Sequence, residues 1–269
     1  MDNNLKAFVP DVSFELIPIN NLVSNQEYQR ILSWRHIEKM AANFNLFQIN
    51  PVKVSRRNGL NYIINGQHTT EVVALVSDSR ETPVWCMIYN NLDYLQEADI
   101  FAQQQKYTKP LSPFEVFTAY IEADSDKHII IKDLVEQYGL RISKAKSNCC
   151  ICAVSSLVEI YDKFGYEGLE RTLRFVVKAW EGDVNSLSSN MLKGVSLLIS
   201  AFSESLQEDL FAERLGSFTA REIIRTAKER RNGSLGYAET MLLLYNKKKK
   251  STLSMTKLYR SGKQEMATI

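Results

Sequence analysis

The sequence predicts an α/β (α+β) N-terminal domain built on a small mixed sheet, followed by a mostly α-helical domain. Three observations carry this expectation. Short apolar strands alternate with amphipathic helices in the first part of the chain. A single glycine, Gly66, joins one of those strands directly to a helix. From Ile129 onward, apolar residues recur at helical spacing almost without a break. The expected domains are residues 1–125 and 126–245, with a basic, disordered tail at 246–269.

Taken in order, Phe14 to Ile19 alternates as a strand, and Pro18 marks it as an edge strand or as the end of one. Ile37, Met40, Ala41 and Phe44 then fall on one face of a helix that Ser33 is placed to cap. Val52 to Ser55 and Asn61 to Asn65 read as a hairpin, with Asn58-Gly59 near its tip. Gly66 follows at once, and Val72, Val73 and Val76 continue at helical spacing. Pro83 to Tyr89 is a further buried strand, and Tyr94 to Gln105 is again helical. Ser112-Pro113-Phe114-Glu115 is a capping box with proline at the first helical position, opening a helix to about Ala123. Later stripes run through Val154, Leu157, Tyr161 and Phe164, through Leu169, Leu173, Val176 and Trp180, and through Leu187, Met191, Val195, Leu198 and Phe202. Thr219-x-x-Glu222 caps one more helix.

Composition sets limits on function. The 269 residues include 45% hydrophobic side chains, enough for a sizeable core, but no run approaches the roughly 20 apolar residues of a membrane span. The first residues lack a basic region followed by an apolar one, so no secretion signal or membrane partner is expected, and the cytoplasm is the expected compartment. Cys86, Cys149, Cys150 and Cys152 read as free thiols of a reducing compartment. The histidines, His36, His68 and His128, are scattered, and neither structural zinc nor any other metal site is expected.

A strand that ends in glycine and feeds a helix points free backbone N–H groups, and the positive end of the helix dipole, at whatever lies above the turn. That is an anion site. Gly66 lets the chain turn, and Gln67, His68 and Thr69 are expected to present an amide, an imidazole and a hydroxyl beside those N–H groups. A side chain at position 66 is expected to fill the space above the turn. His68, with Glu71, is the catalytic candidate, because an imidazole changes charge near neutral pH.

The order of these elements, together with three short blocks, resembles the ParB/sulfiredoxin superfamily over about residues 13 to 123. The blocks are Tyr28-Gln29-Arg30, Gly66-Gln67-His68-Thr69, and Gln103-Gln104-Gln105-Lys106 followed by Leu111-Ser112-Pro113-Phe114-Glu115. They stand in the order of a ParB N-terminal domain. The resemblance implies a nucleotide pocket in which Gly66, Gln67, His68 and Thr69 bind phosphate, Arg30 supplies a cation, and Gln104, Gln105 and Lys106 line the walls. It implies CTP or ATP with magnesium as cofactor, DNA as partner, a possible homodimer, and the setting of plasmids and mobile elements. Gln67 and Thr69 stand where the family carries acidic and basic residues. Gln67 also stands where a sulfiredoxin-like turn carries its nucleophilic cysteine, so sulfiredoxin chemistry is not expected.

In the second domain, Ile131 to Leu140 reads as a helix stopped by Gly139, and the basic segment with Arg141, Lys144 and Lys146 follows. This pattern admits the first half of a helix-turn-helix, although Cys149 to Val154 is apolar enough for a buried strand or core helix. A second basic cluster comprises Arg221, Arg225, Lys228, Arg230 and Arg231, and the tail adds Lys247 to Lys250, Lys257, Arg260 and Lys263. Such clusters neutralise phosphates and release counterions, or form a solvated helix face and a loose tail. The leading expectation is a ParB-like DNA-binding protein with a nucleotide pocket. The alternative is an enzyme on the same fold: a nuclease, a nucleotide hydrolase or a small-molecule kinase.

Overall fold

The computed structural model describes residues 10–25, 27, 29–90, 92–106, 110–247 and 252–259. It divides into two compact units, 1–109 and 110–269. The division thus falls before the helix opened by Ser112, not after it at residue 125.

The first unit holds β1 (Val12–Pro18), β2 (Leu22–Ser24), α1 (Trp34–Ala42), β3 (Val52–Arg57), β4 (Leu60–Asn65), α2 (Gln67–Ser77), β5 (Pro83–Asn90) and α3 (Tyr94–Lys106). Its sheet is five-stranded and mixed, in the order β1-β5-β3-β4-β2. β1 is an edge strand, antiparallel to β5 with Leu16 opposite Trp85, which accommodates Pro18 at its end. Asn58 (φ 53°) and Gly59 (φ 75°) both take positive φ and turn β3 into β4, the geometry for which Asn-Gly is favoured. α2 then carries the chain across to β5, which runs parallel to β3. Ile17, Val52, Val54, Ile63, Val73, Val84 and Ile88 form the core of this unit. Burying each such side chain contributes about 1.5–3 kcal/mol. β2, parallel to β4, is only three residues long, too short to show a period in the sequence.

The second unit is helical: α4 (Pro113–Glu122), α5 (Asp126–Gln137), α6 (Val154–Trp180), α7 (Ser189–Phe202), α8 (Glu208–Gly216), α9 (Ala220–Arg230) and α10 (Ser234–Asn246). Both capping boxes form. Ser112 Oγ and Thr219 Oγ1 accept from the backbone N–H of Glu115 and Glu222, whose carboxylates accept from the N-cap N–H groups. The apolar stripes at 154–164 and 169–180 lie on one long helix, α6, interrupted at Gly165 (φ 68°, ψ −168°). Leu157, Leu173, Val176, Met191, Val195 and Leu198 are wholly buried in the core they share with α10.

Two sequence expectations change here. The segment after α5 does not enter a second helix: Arg141–Ile142 forms β6, which pairs in parallel with β7 (Cys150–Ile151), and the next helix begins only at Val154. Buried Cys150, Ile151 and Val154 take the apolar stretch into the core, so the buried-strand alternative holds and residues 141–146 build no recognition helix. Residues 252–259, expected in a disordered tail, lie against the bundle. Asn246 accepts from Leu253 N–H through Oδ1 and donates to Leu253 C=O through Nδ2, both at 2.8 Å, and Leu258 is buried. Lys248 to Lys250, Arg260 and Lys263 lie outside the described residues.

Candidate phosphate-binding site

The turn from β4 into α2 is built as the sequence implies. Gly66 takes φ 109° and ψ 11°, a conformation that L side chains rarely adopt, and serves as the N-cap of α2. Its carbonyl accepts from Thr70 N–H at 3.0 Å, the first bond of the helix. Among the described residues, the N–H groups of Gln67, His68 and Thr69 have no acceptor, as the first turn of a helix requires. A cleft of about 200 Å³ opens over them, lined by Gln29, Arg30, Asn65, Gly66, His68, Thr69 and Phe101 among others. A Cβ on Gly66 would not enter this cleft. It would lie 3.2 Å from both Val52 methyl carbons, in the sheet beneath the turn, contrary to the expectation that it would fill the space above.

Gln67 faces inward. It is buried, its Oε1 accepts from Ser24 Oγ at 2.8 Å, and its Nε2 donates to the Arg30 carbonyl at 2.7 Å. Ser24 Oγ also lies 3.0 Å from Gln29 Oε1, and Gln29 Nε2 donates to the Ile63 carbonyl. The loop bearing Gln29 and Arg30 is therefore fastened to the start of α2. The side-chain amide that the sequence reading offered to a ligand is the fastener. Tyr28, in the same block, lies outside the described residues.

His68 is half-buried on the cleft wall. Its Nε2 accepts from Ser33 N–H at 3.4 Å, and its ring meets that of His36 edge-on at 5.6 Å between centroids. Burial, then the neighbouring His36 and Arg30, hold its pKa below the usual histidine value, so the imidazole is neutral at pH 7. With Nε2 as acceptor, Nδ1 carries the proton and is the atom that can donate. Thr69 lines both this cleft and a second cavity of about 320 Å³ between α1 and α2, whose walls include His36, Asn43, Phe44, Gln48 and Val73.

The remaining candidates are dispersed. Glu71 points to Arg80, with both carboxylate oxygens accepting at 2.9 Å, so it is not arranged beside His68. From α3 the residue in the cleft wall is Phe101, which no motif marked; Gln104 and Lys106 do not line it, and the side chain of Gln105 lies outside the described atoms. Among the described residues, no carboxylate lines the cleft, and no three His, Cys, Asp or Glu side chains are grouped to hold a metal ion. This includes Cys149 and Cys152, whose spacing is Cys-x-x-Cys.

The basic residues of the second unit separate into two kinds. Arg141 Nε donates to Cys150 Sγ at 2.8 Å, and Lys144 Nζ donates to Glu115 Oε1 at 2.8 Å. Lys144 and the Ser112 cap hold the Glu115 carboxyl down at about 2. Lys146 is exposed. Arg231 reaches Glu239 at 3.5 Å, whereas Arg221, Arg225, Lys228 and Arg230 are exposed on α9.

With this geometry in place, comparison with known proteins gives one family. A family described as a family of unknown function, DUF6551, matches residues 23–257, which takes in both units. The chain belongs to DUF6551. No curated protein matches this DUF6551 chain. Among solved structures, it is similar to the C-terminally truncated chromosome-partitioning protein ParB from Caulobacter crescentus, complexed with CTP-gamma-S, at 14% identity and a TM-score of 0.37, over 85% of this chain and 98% of that one. A TM-score of that size does not establish a common fold. Among the described residues of the DUF6551 chain, no helix is long and apolar enough to cross a membrane.

Proposed function

We propose that this chain binds a nucleotide through its phosphates at the Gly66 turn and acts as a DNA-binding protein. The observation that carries this reading is the open cleft of about 200 Å³ over the acceptor-less N–H groups of Gln67, His68 and Thr69, with Arg30 on its wall. Helix-terminal amides and a guanidinium are the groups that suit phosphate oxygens. The cleft is large enough for phosphoryl groups, and the adjoining cavity shares Thr69, which gives the rest of a nucleotide a place beside them. Its mixed lining of Phe44, Val73, Asn43 and Gln48 suits a flat ring with polar edges.

The amides, Arg30 and Nδ1 of His68 fit a phosphate. Among the described residues the wall carries no carboxylate to hold a magnesium ion. A magnesium ion brought in on a triphosphate would be held by the phosphates and water. Glu71, committed to Arg80, is not placed to activate water, and this favours binding over turnover.

Calorimetric titration with CTP, ATP and GTP, each with magnesium and with or without duplex DNA, tests the pocket. Binding of one nucleotide, weakened in Arg30→Ala, is the expected outcome. Absence of binding to all three, with the protein folded, removes the pocket from the proposal.

A further inference from the structure

About half of the described cations of the helical unit have acidic partners. Lys127 pairs with Asp162, Lys178 with Glu208 and Asp209, Arg174 with Glu208, and Lys193 with Glu159. Helix α9 departs from this. Its apolar residues Ala220, Ile223 and Ala227 are buried, while Arg221, Arg225 and Lys228 fall at i, i+4 and i+7 on the opposite, exposed face. These three, and Arg230 beyond them, make no hydrogen bond or ion pair among the described residues. The charge of Arg225 acts through space on the capping carboxylate of Glu222.

The C-terminal segment converges on the same place. The Asn246 clamp on Leu253 and the burial of Leu258 set it against the bundle. Tyr259 reaches Glu239, the carboxylate that also holds Arg231, and the charges of Arg230 and Arg231 act on its hydroxyl. A half-exposed tyrosine therefore stands at the C-terminal end of the basic helix face.

We propose that the Arg221-Arg225-Lys228 face of α9, ending at Tyr259, is the surface on which this protein holds the backbone of duplex DNA, without reading bases. The inference rests on the DNA-binding half of the function proposed above, and assigns it to a different surface from the 141–146 segment. At about 1.5 Å rise per residue the three cations span roughly 10 Å of helix. Along one DNA strand a phosphate recurs about every 3.4 Å of helix axis, so that span faces about four successive phosphates of one strand. A bilayer is the poorer partner: Ala220, Ile223 and Ala227 of α9 are buried and Ile224 packs against the core, so the helix offers lipids no broad apolar face.

The test is fluorescence anisotropy of labelled duplexes of two unrelated sequences, with salt varied from about 50 to 200 mM. Arg221→Gln/Arg225→Gln/Lys228→Gln is expected to weaken both duplexes alike and to lower the slope of log K against log salt by about 2 to 3. A control, Lys132→Gln/Lys163→Gln/Lys178→Gln, removes the same charge from ion-paired positions and should leave the slope unchanged. If circular dichroism shows the triple variant unfolded, Arg225→Gln alone should lower the slope by about 1. DNA binding by the parent with an unchanged slope in the α9 variants overturns this surface and leaves the proposed function standing. An equal fall in the control also overturns it, reducing the effect to net charge. A parent that binds nucleotide but no duplex removes the DNA half of the proposed function, and this inference with it. A parent that binds phosphatidylserine vesicles but not DNA overturns both in favour of a lipid surface.

Discussion

Ser24 Oγ donates to Gln67 Oε1 at 2.8 Å across 43 residues of chain, tying the end of β2 to the first residue of α2. The same Gln67 amide donates to the Arg30 carbonyl at 2.7 Å, so one buried side chain fixes the height of the Arg30 loop over the anion turn. Truncating it removes both bonds from part-buried groups, at about 0.5–1.5 kcal/mol for each bond lost. Gln67→Ala is therefore expected to lower the thermal midpoint and to speed proteolytic cleavage between residues 24 and 30. Unaltered cleavage there would show that the loop is held by something other than Gln67.

This relationship also marks the limit of what could be read from the chain. The hairpin and the glycine turn were legible because Asn58, Gly59 and Gly66 occupy positive φ, a local requirement that few residue types meet. The capping boxes at Ser112 and Thr219 were legible for a similar reason, since donor and acceptor lie three residues apart. The inward turn of Gln67 was not, because its partners Ser24 and Arg30 are brought to it only by the tertiary fold. Phe101 was missed for the same reason: a single aromatic on a helix shows no sign of the cleft it borders. β6 and β7, two residues each, are too short to show a period, and this let the Arg141 to Lys146 segment pass for part of a helix-turn-helix.

His68 should give the phosphate site a pH dependence. Its pKa in the free protein lies below the ordinary value, from burial and from His36 and Arg30. Between that lowered pKa and the unfolded value near 6.5, the unfolded chain binds more protons. Stability from this group is thus full above about 6.5 and falls as pH drops toward the folded pKa. A bound phosphate favours the charged imidazole, so phosphate affinity should move the other way and increase on acidification. His68→Gln is expected to flatten both profiles, read by thermal unfolding and by titration with inorganic phosphate. Parallel profiles in parent and variant would assign the pH dependence to another group.

Gly66 acts on the sheet below it as well as on the turn. A Cβ there would lie 3.2 Å from both Val52 methyl carbons, and a φ of 109° is strained for any L residue. Gly66→Ala is expected to cost about 1–3 kcal/mol through the backbone alone. If the Val52 contact adds to that cost, Gly66→Ala/Val52→Ala will be less destabilised than the sum of its parts, by more than about 0.5 kcal/mol in denaturant unfolding. Strict additivity would place the whole cost in the backbone.

Arg141 and Cys150 face each other across β6 and β7, and their pairing predicts a difference between two buried thiols. Ser147 Oγ and Arg141 Nε donate to Cys150 Sγ at 2.9 and 2.8 Å, and these bonds hold the thiol below the ordinary cysteine value. Cys86, wholly buried in the sheet core, is pushed by burial up to about 11. Thiolate absorbance during a pH titration of the folded protein should therefore show one early step, lost in Cys150→Ala, and one late step, lost in Cys86→Ala. Arg141→Ala should move the early step upward while Ser147 keeps part of the depression. An early step that stays in place in Arg141→Ala, with β6 and β7 intact, would show that the guanidinium does not stabilise the thiolate, and would release Arg141 to serve another anion.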